Sequence, residues 1–114
     1  MTNYKDELTE VMANNKNLFS SMGATGKNFM GVHDEATKDG ALDKKTKVLE
    51  ALGIAIAIRC EGCIVQHTKA AISLGASREE IVETINVAVM MGGGPSTVYG
   101  GKALACADQF LADK

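Results

Sequence analysis

The stretch Arg59-Cys60-Glu61-Gly62-Cys63-Ile64-Val65-Gln66-His67 carries two thiols three residues apart and an imidazole four residues after the second thiol. On an α-helix, residues three, four and seven positions apart share a face. At about 100° per residue, Cys60, Cys63 and His67 fall within a stripe about 60° wide. The spacing therefore predicts three reactive groups on one side of a helix, with the rest of the chain as their scaffold.

Composition predicts that this scaffold is a single helical domain with an aliphatic core. The chain has 114 residues, of which 46% are hydrophobic but only 4% aromatic, and it contains one proline. Alanine is the strongest helix former and proline the strongest helix breaker, so an Ala-rich, Pro-poor chain favours helices. A chain of this length is typically one domain.

Charge and hydropathy exclude several classes of partner. The formal net charge is −2 and the sequence pI is about 5.6, which predicts no basic face for nucleic acid. The N-terminus has no apolar segment of the signal-peptide type. The longest apolar run, residues 51–58, is far shorter than the roughly 20 residues needed to cross a bilayer. We therefore expect a soluble, cytoplasmic protein that binds neither nucleic acid nor membrane.

The hydrophobic pattern predicts five to six helices and no strand. The predicted helices cover about residues 2–21, 25–38, 43–58, 63–74, 77–91 and 95–112. Four signals mark their ends: Asp43 as an N-cap, Gly75 as a C-cap residue, the capping box of Ser77 and Glu80, and Pro95 in a first turn. The Ile-Ala alternation at 54–58 also fits a strand, but it continues a charged helical stretch, so a buried helix is expected. The end of the fifth helix is apolar nearly all round, which predicts that it is deeply buried or faces another subunit. Because so small a chain can hardly bury such a surface, a homo-oligomer is expected.

A Cys-x-x-Cys pair at the start of a helix is typical of redox sites. The helix N-terminus and a nearby imidazolium both favour thiolate over thiol. A thiolate attacks a peroxide or a disulfide, and the second sulfur then resolves the product. The spacing allows a reversible Cys60–Cys63 disulfide, and Arg59 adds positive charge beside it. The alternative, two small buried side chains and a core histidine, is disfavoured because three such groups share one stripe.

Metal and nucleotide readings fit the sequence less well. Two thiolates and an imidazole supply three zinc ligands, but no second ligand pair of similar spacing accompanies them. A c-type haem requires His directly after the second Cys, where Ile64 stands. The glycine-rich segment 92–102 lacks the P-loop spacing, and its glycines are expected to let the fifth and sixth helices approach closely. We therefore expect no metal and no cofactor. Cys106 is expected to pack as a small apolar residue, and His33 to lie on a solvated face.

Several motifs occur together in the second half of the chain. They are Cys60-x-x-Cys63-x-x-x-His67, Ala70-Ala71-x-x-Leu74-Gly75-Ala76, Glu79-Glu80-Ile81 and Met91-Gly92-Gly93-Gly94-Pro95. Together they resemble the AhpD-like alkylhydroperoxidase branch of the carboxymuconolactone decarboxylase family. The resemblance covers residues 42–112 and leaves residues 2–38 as an N-terminal helical extension of one domain, 1–114. It implies compact all-α subunits assembled into trimers or hexamers.

The resemblance also implies a thiol-dependent peroxidase. In that branch the two cysteines cycle between dithiol and disulfide while a hydroperoxide is reduced, and a histidine relays protons. Carried over, Cys63 is the attacking thiol, Cys60 the resolving thiol and His67 the proton shuttle, with the reverse order of attack left open. The implied partners are a hydroperoxide or disulfide substrate and a thiol reductant, either a protein or a small thiol.

One position departs from the family pattern. The family usually places a Glu twelve residues before the first Cys, where this chain has Val48. Glu50 lies about 200° away on a helix and is not a simple replacement. The departure predicts weaker general-base assistance and keeps a thiol–disulfide oxidoreductase open. A decarboxylase-like lyase is a further alternative, for which only Arg59 and Lys102 offer a cationic anchor.

Overall fold

The computed structural model describes residues 1–113, which form six α-helices and contain no β-strand. The helices are α1 (Tyr4–Met22), α2 (Ala24–Thr37), α3 (Lys44–Ala57), α4 (Glu61–Ser73), α5 (Arg78–Gly92) and α6 (Gly94–Leu111). The predicted all-α fold is confirmed, and the Ile-Ala segment is helical. Lys114, the last residue of the predicted domain, lies outside the described range.

Local capping interactions explain where the helices begin. The Asp43 carboxylate accepts a hydrogen bond from the backbone N–H of Thr46 at 2.8 Å. Hydrogen bonding to the side chain and the backbone of Thr46 lowers the pKa of Asp43. At α5, the Ser77 hydroxyl accepts the Glu80 N–H while the Glu80 carboxylate accepts the Ser77 N–H. Pro95 lies in the first turn of α6, where its missing N–H costs nothing. All three starts agree with the sequence prediction.

The core lies between α3, α4, α5 and α6. Its largest fully buried side chains are aliphatic, and Leu52, Ile56, Ile64, Ile72 and Ile81 are the bulkiest of them. Helix α4 contacts both α3 and α6, while α1 packs against α4 and α6. Helix α4 is therefore held on several sides, and the two cysteines lie at its N-terminal end.

Small residues bring α5 and α6 close together, as predicted. A Cβ placed on Gly100 would lie 2.6 Å from Ile85 Cγ2, closer than two carbon atoms approach. The next residue, Gly101, faces open space. Of these two neighbouring glycines, the approach requires only Gly100.

The N-terminal helix is part of the fold. Tyr4 is buried, and its backbone N–H donates to Gln109 Oε1 at 2.8 Å. Farther along α1, Val11 lies over the first turn of α4, where a Cβ added to Gly62 would meet Val11 Cγ1 at 3.4 Å. Helix α1 thus forms one wall beside the thiols, while α2 packs mainly against α1.

An apolar groove of about 560 Å³ runs between α3 and α5. Ile54, Val87 and Met91 line it and are 60%, 59% and 76% exposed. The apolar end of α5 was expected to be buried or to face another subunit, and in a single chain it is not buried. No helix in residues 1–113 combines the length and hydropathy needed to span a membrane.

Candidate active site

The turn before the thiols is a Schellman motif with an unusual residue in it. The Arg59 N–H donates to Ile56 O at 3.2 Å and the Cys60 N–H to Ala55 O at 3.0 Å, which closes the end of α3. This motif requires a residue with left-handed backbone, usually glycine, and here Arg59 adopts it at φ 63°. Among residues 1–113, Arg59 alone of the non-glycine residues has positive φ.

The same motif occurs at the other end of α4 with glycine in the critical place. There the Gly75 N–H donates to Ile72 O at 3.0 Å and the Ala76 N–H to Ala71 O at 2.9 Å, with Gly75 at φ 92°. The two turns have the same hydrogen-bond pattern. They differ in the residue that adopts the left-handed conformation, and only the turn containing Arg59 adjoins the thiols.

Cys60 is the N-cap of α4, and Cys63 lies in the first turn. The two residues form a disulfide with their Cα atoms 5.2 Å apart. The Cys60 Sγ also accepts the Cys63 N–H at 3.3 Å. Both cysteines are half-buried, and Cys63 packs against the hydrophobic core. The predicted pairing of the two sulfurs therefore agrees with the structure, with Cys60 preceding the helix rather than lying within it.

His67 lies one turn after Cys63 on the same helix and is half-buried. Burial lowers the pKa of its imidazole, and the charge on His33 lowers it further. At neutral pH the ring is therefore mostly neutral and able to accept a proton. His33 is exposed on α2, with its Nδ1 3.3 Å from Asp34 Oδ1. The solvated position of His33 was predicted from the sequence, but its influence on His67 was not.

The position of the family glutamate is part of the core. Val48 is only 4% exposed and packs with the buried aliphatic residues. Glu50 lies on the other side of α3, where it lines the groove between α3 and α5. Glu50 is therefore not a replacement, and no carboxylate contributes to the pKa shift of His67.

Of the two candidate cationic anchors, Lys102 is already engaged. Its Nζ lies 3.2 Å from Glu7 Oε1 and 3.7 Å from Glu61 Oε1, and its side chain is 18% exposed. Burial opposes the charge on Lys102, but the two carboxylates outweigh burial and raise its pKa. Arg59 is exposed, and it forms no ion pair with any residue of the described chain.

The third cysteine is inert by position. Cys106 is fully buried on α6, and burial raises the pKa of its thiol to about 12. The Thr68 hydroxyl lies close enough to lower that pKa slightly, without forming a hydrogen bond of ordinary geometry. The expectation that Cys106 packs as a small apolar residue is confirmed. Within residues 1–113, no group of three or more His, Cys, Asp or Glu side chains is placed to hold a metal ion.

Comparison with known proteins identifies two relatives, one of which matches over nearly the whole chain. An uncharacterised protein of Cupriavidus necator is 36% identical over 111 residues, covering 97% of this chain and 98% of that protein. An uncharacterised protein from the cox locus of Paracoccus denitrificans is 41% identical over 82 residues, covering 72% of this chain and 74% of that protein.

Solved structures match at the level of the fold. A carboxymuconolactone decarboxylase family protein of Legionella pneumophila, in its apo form, superposes with a TM-score of 0.89 at 39% identity, covering 94% of this chain and 96% of that one. A Thermotoga maritima protein of the same family, whose description suggests involvement in an antioxidative response, gives 0.85 at 26% identity, covering 93% and 91%. The sequence profile of the family itself matches residues 23–108. With its six helices and its profile match, the chain belongs to the carboxymuconolactone decarboxylase family.

Proposed function

We propose that this protein is a thiol-dependent peroxidase of the AhpD-like alkylhydroperoxidase type, which reduces hydroperoxides through the Cys60–Cys63 pair. The observation that carries the proposal is the disulfide at the N-terminus of α4, one turn from a half-buried His67. A disulfide between residues three apart at a helix start can open without moving the rest of the helix. The Thermotoga relative, with its suggested antioxidative role, supports the same chemistry.

In the oxidative half of the cycle, His67 accepts the proton of the Cys63 thiol. The Cys63 thiolate attacks one oxygen of the hydroperoxide, the O–O bond breaks, and the alcohol leaves with the proton held by His67. Cys63 becomes a sulfenic acid, oxidised by two electrons. Cys60 then attacks the Cys63 sulfur, the S–S bond forms, and hydroxide leaves with the Cys60 proton as water.

In the reductive half, a thiol reductant returns the pair to the dithiol form. One thiolate attacks the disulfide to form a mixed disulfide, a second displaces the protein thiol, and the reductant leaves oxidised as its own disulfide. A cytoplasmic location fits this cycle, since reducing compartments supply thiols of this kind. The reductant is a protein or small thiol, and the cycle uses no cofactor.

The decisive experiment is a thiol titration before and after one equivalent of a hydroperoxide, on the wild type and on Cys60→Ser and Cys63→Ser. We expect the wild type to lose two thiols per chain and to regain them with a thiol donor. Cys63→Ser should lose peroxide-dependent oxidation, while Cys60→Ser should stop at a sulfenic acid that a 1,3-dione traps on Cys63. Oxidation of Cys63→Ser at the wild-type rate contradicts the assigned order, and survival of activity in the double variant contradicts a thiol mechanism and favours a lyase.

A general thiol–disulfide oxidoreductase is the second candidate, and the residue at position 48 favours it. Val48 is buried where a relay carboxylate is expected, so His67 lacks an acidic partner. Peroxide reduction needs that proton relay more than disulfide exchange does. Comparing the rates with a hydroperoxide and with glutathione disulfide separates the two candidates. A faster rate with the disulfide assigns the protein to the second class.

We also propose that copies of this chain associate through the face formed by α3 and α5. The exposed side chains of Ile54, Val87 and Met91 form a contiguous apolar surface on this face, which is the kind of surface that marks an interaction site. A standard interface takes about 800 Å² from each partner, with an apolar centre and a polar rim. The Lys45–Glu80 ion pair, 2.9 Å long, lies at the edge of this groove. A two-fold contact of this kind makes a dimer, and three such dimers joined by a second contact make a hexamer, one of the two assemblies that the family resemblance implies.

A further inference from the structure

The inference begins with the residue that precedes the first thiol. Arg59 adopts the left-handed conformation in the Schellman motif that ends α3. An L-residue with a side chain is disfavoured there, and glycine is not. The matching turn at the end of α4 uses Gly75 in the same hydrogen-bond pattern. The chain therefore retains a long cationic side chain at a position where its own second turn uses glycine.

The charged groups around Arg59 do not neutralise its positive charge. Glu61 follows Cys60, but its carboxylate lies 3.7 Å from Lys102 Nζ, and Lys102 is also held by Glu7. His67 is mostly neutral at pH 7 because burial lowers its pKa. Arg59 is exposed and has no carboxylate partner in residues 1–113, so its positive charge is not cancelled.

We propose that Arg59 stabilises the thiolate of Cys60 in the reduced protein and so sets how readily the pair reacts. The Schellman turn fixes Cys60 as the N-cap of α4, where its sulfur already accepts the Cys63 N–H at 3.3 Å. A cation on the residue that directly precedes Cys60 and the positive end of the helix both favour the ionised form. This proposal rests on the proposed function only in treating the pair as thiols that open and close.

A purely structural role for Arg59 makes a different prediction. Cations near a helix C-terminus are stabilising, and Arg59 directly follows the last turn of α3. If that were its role, replacement by glycine would lower the melting temperature and leave the thiols unchanged. If Arg59 acts on Cys60, replacement by glycine removes the backbone strain and keeps or raises the melting temperature. The Cys60 thiol then ionises only at higher pH, because the stabilising cation is gone.

The test is the rate of iodoacetamide alkylation against pH, measured on protein reduced with dithiothreitol and desalted. The parent variants are Cys63→Ser, which leaves Cys60, and Cys60→Ser, which leaves Cys63. Cys106 is silent in both, because burial raises the pKa of its thiol to about 12. Into each parent we introduce Arg59→Gly, Arg59→Asn and Arg59→Lys.

In the Cys63→Ser parent we expect Arg59→Gly and Arg59→Asn to slow alkylation at pH 7 by roughly two- to fivefold. The midpoint of the curve of alkylation rate against pH should also move to higher pH. Arg59→Lys should restore most of the rate, and added salt should shrink the difference. In the Cys60→Ser parent the same changes should have a smaller effect. Identical rates with Arg, Gly and Lys at position 59 overturn the proposal.

The two proposals fail separately. Alkylation requires no peroxide, so a protein that consumes no hydroperoxide but shows the Arg59 effect contradicts only the peroxidase assignment. A protein that reduces hydroperoxide equally well with Arg or Gly at position 59, and alkylates equally fast, contradicts only the assignment of Arg59.

Discussion

At the scale of single residues, the environment of His67 has a consequence for stability. Its pKa is lowered in the folded protein by burial and by the charge on His33, so the folded state binds protons less readily than the unfolded state. A group of this kind contributes stability that is present above its unfolded pKa of about 6.5 and is lost as the pH falls through the folded value.

We therefore predict that the free energy of unfolding decreases between about pH 7.5 and about pH 5.5, and that His67→Gln removes most of this decrease. Urea denaturation at several pH values measures this free energy. The oxidised protein is used, so that Cys60 and Cys63 do not titrate. His33→Gln is the matched control. It removes one cause of the shift, so the pH dependence should become shallower but persist. A dependence that is the same in all three proteins contradicts the burial of His67.

Sequence reasoning predicted the three candidate site residues and missed two features of their neighbours. Cys60, Cys63 and His67 follow from spacing alone, because residues close in sequence on one helix must share a face. The effect of His33 depends on how α2 folds back on α1, which local patterns do not encode. The conformation of Arg59 was missed because the sequence signal for a left-handed turn is glycine or asparagine, and arginine carries neither signal.

At the scale of the helices, the contact between α5 and α6 makes a sharp prediction. A methyl group at Gly100 would lie 2.6 Å from Ile85 Cγ2, whereas one at Gly101 meets nothing within 4 Å. Gly100→Ala should therefore destabilise the protein by roughly 1–3 kcal/mol through overpacking. Gly101→Ala should be neutral or stabilising by up to about 1 kcal/mol, because alanine favours a helix. Thermal unfolding of the two variants measures the contrast, and equal melting temperatures contradict the close approach.

Helix boundaries were predictable where one residue type has one capping role. Asp43, Gly75 and the Ser77–Glu80 box each marked a boundary that the structure has. The start of α4 was less clear from the sequence, because Cys60 is not a typical N-cap residue. Its position depends on the end of α3, and the two boundaries share the residues 58–60.

At the scale of the whole molecule, the groove between α3 and α5 predicts the oligomeric state. Ile54→Glu places a charge in the apolar centre of the proposed interface and should shift the protein to monomers. Met12→Glu is the control, since Met12 is also exposed but lies on α1. Light scattering coupled to size-exclusion chromatography gives the mass of each. Assembly that survives Ile54→Glu and is lost in Met12→Glu contradicts the proposed face.

Sequence patterns indicated that some apolar helix surface must be covered. They did not indicate whether another helix of the same chain or another chain covers it. Hydrophobic periodicity identifies a face that avoids water, and the same pattern results whether its partner is another helix of the chain or another chain. The exposure of Met91 in a single chain shows that the first option does not apply at this end of α5. The subunit arrangement stays a prediction for the light-scattering measurement.

The burial of Cys106 gives the protein an internal reporter of its own folding. In the oxidised native state the only sulfhydryl is shielded, and the pKa of that group is about 12, so a chromogenic thiol reagent finds nothing to label. Each unfolding event exposes one reactive sulfhydryl per molecule. Labelling under native conditions therefore counts unfolding events directly, with no dye or tag added to the polypeptide.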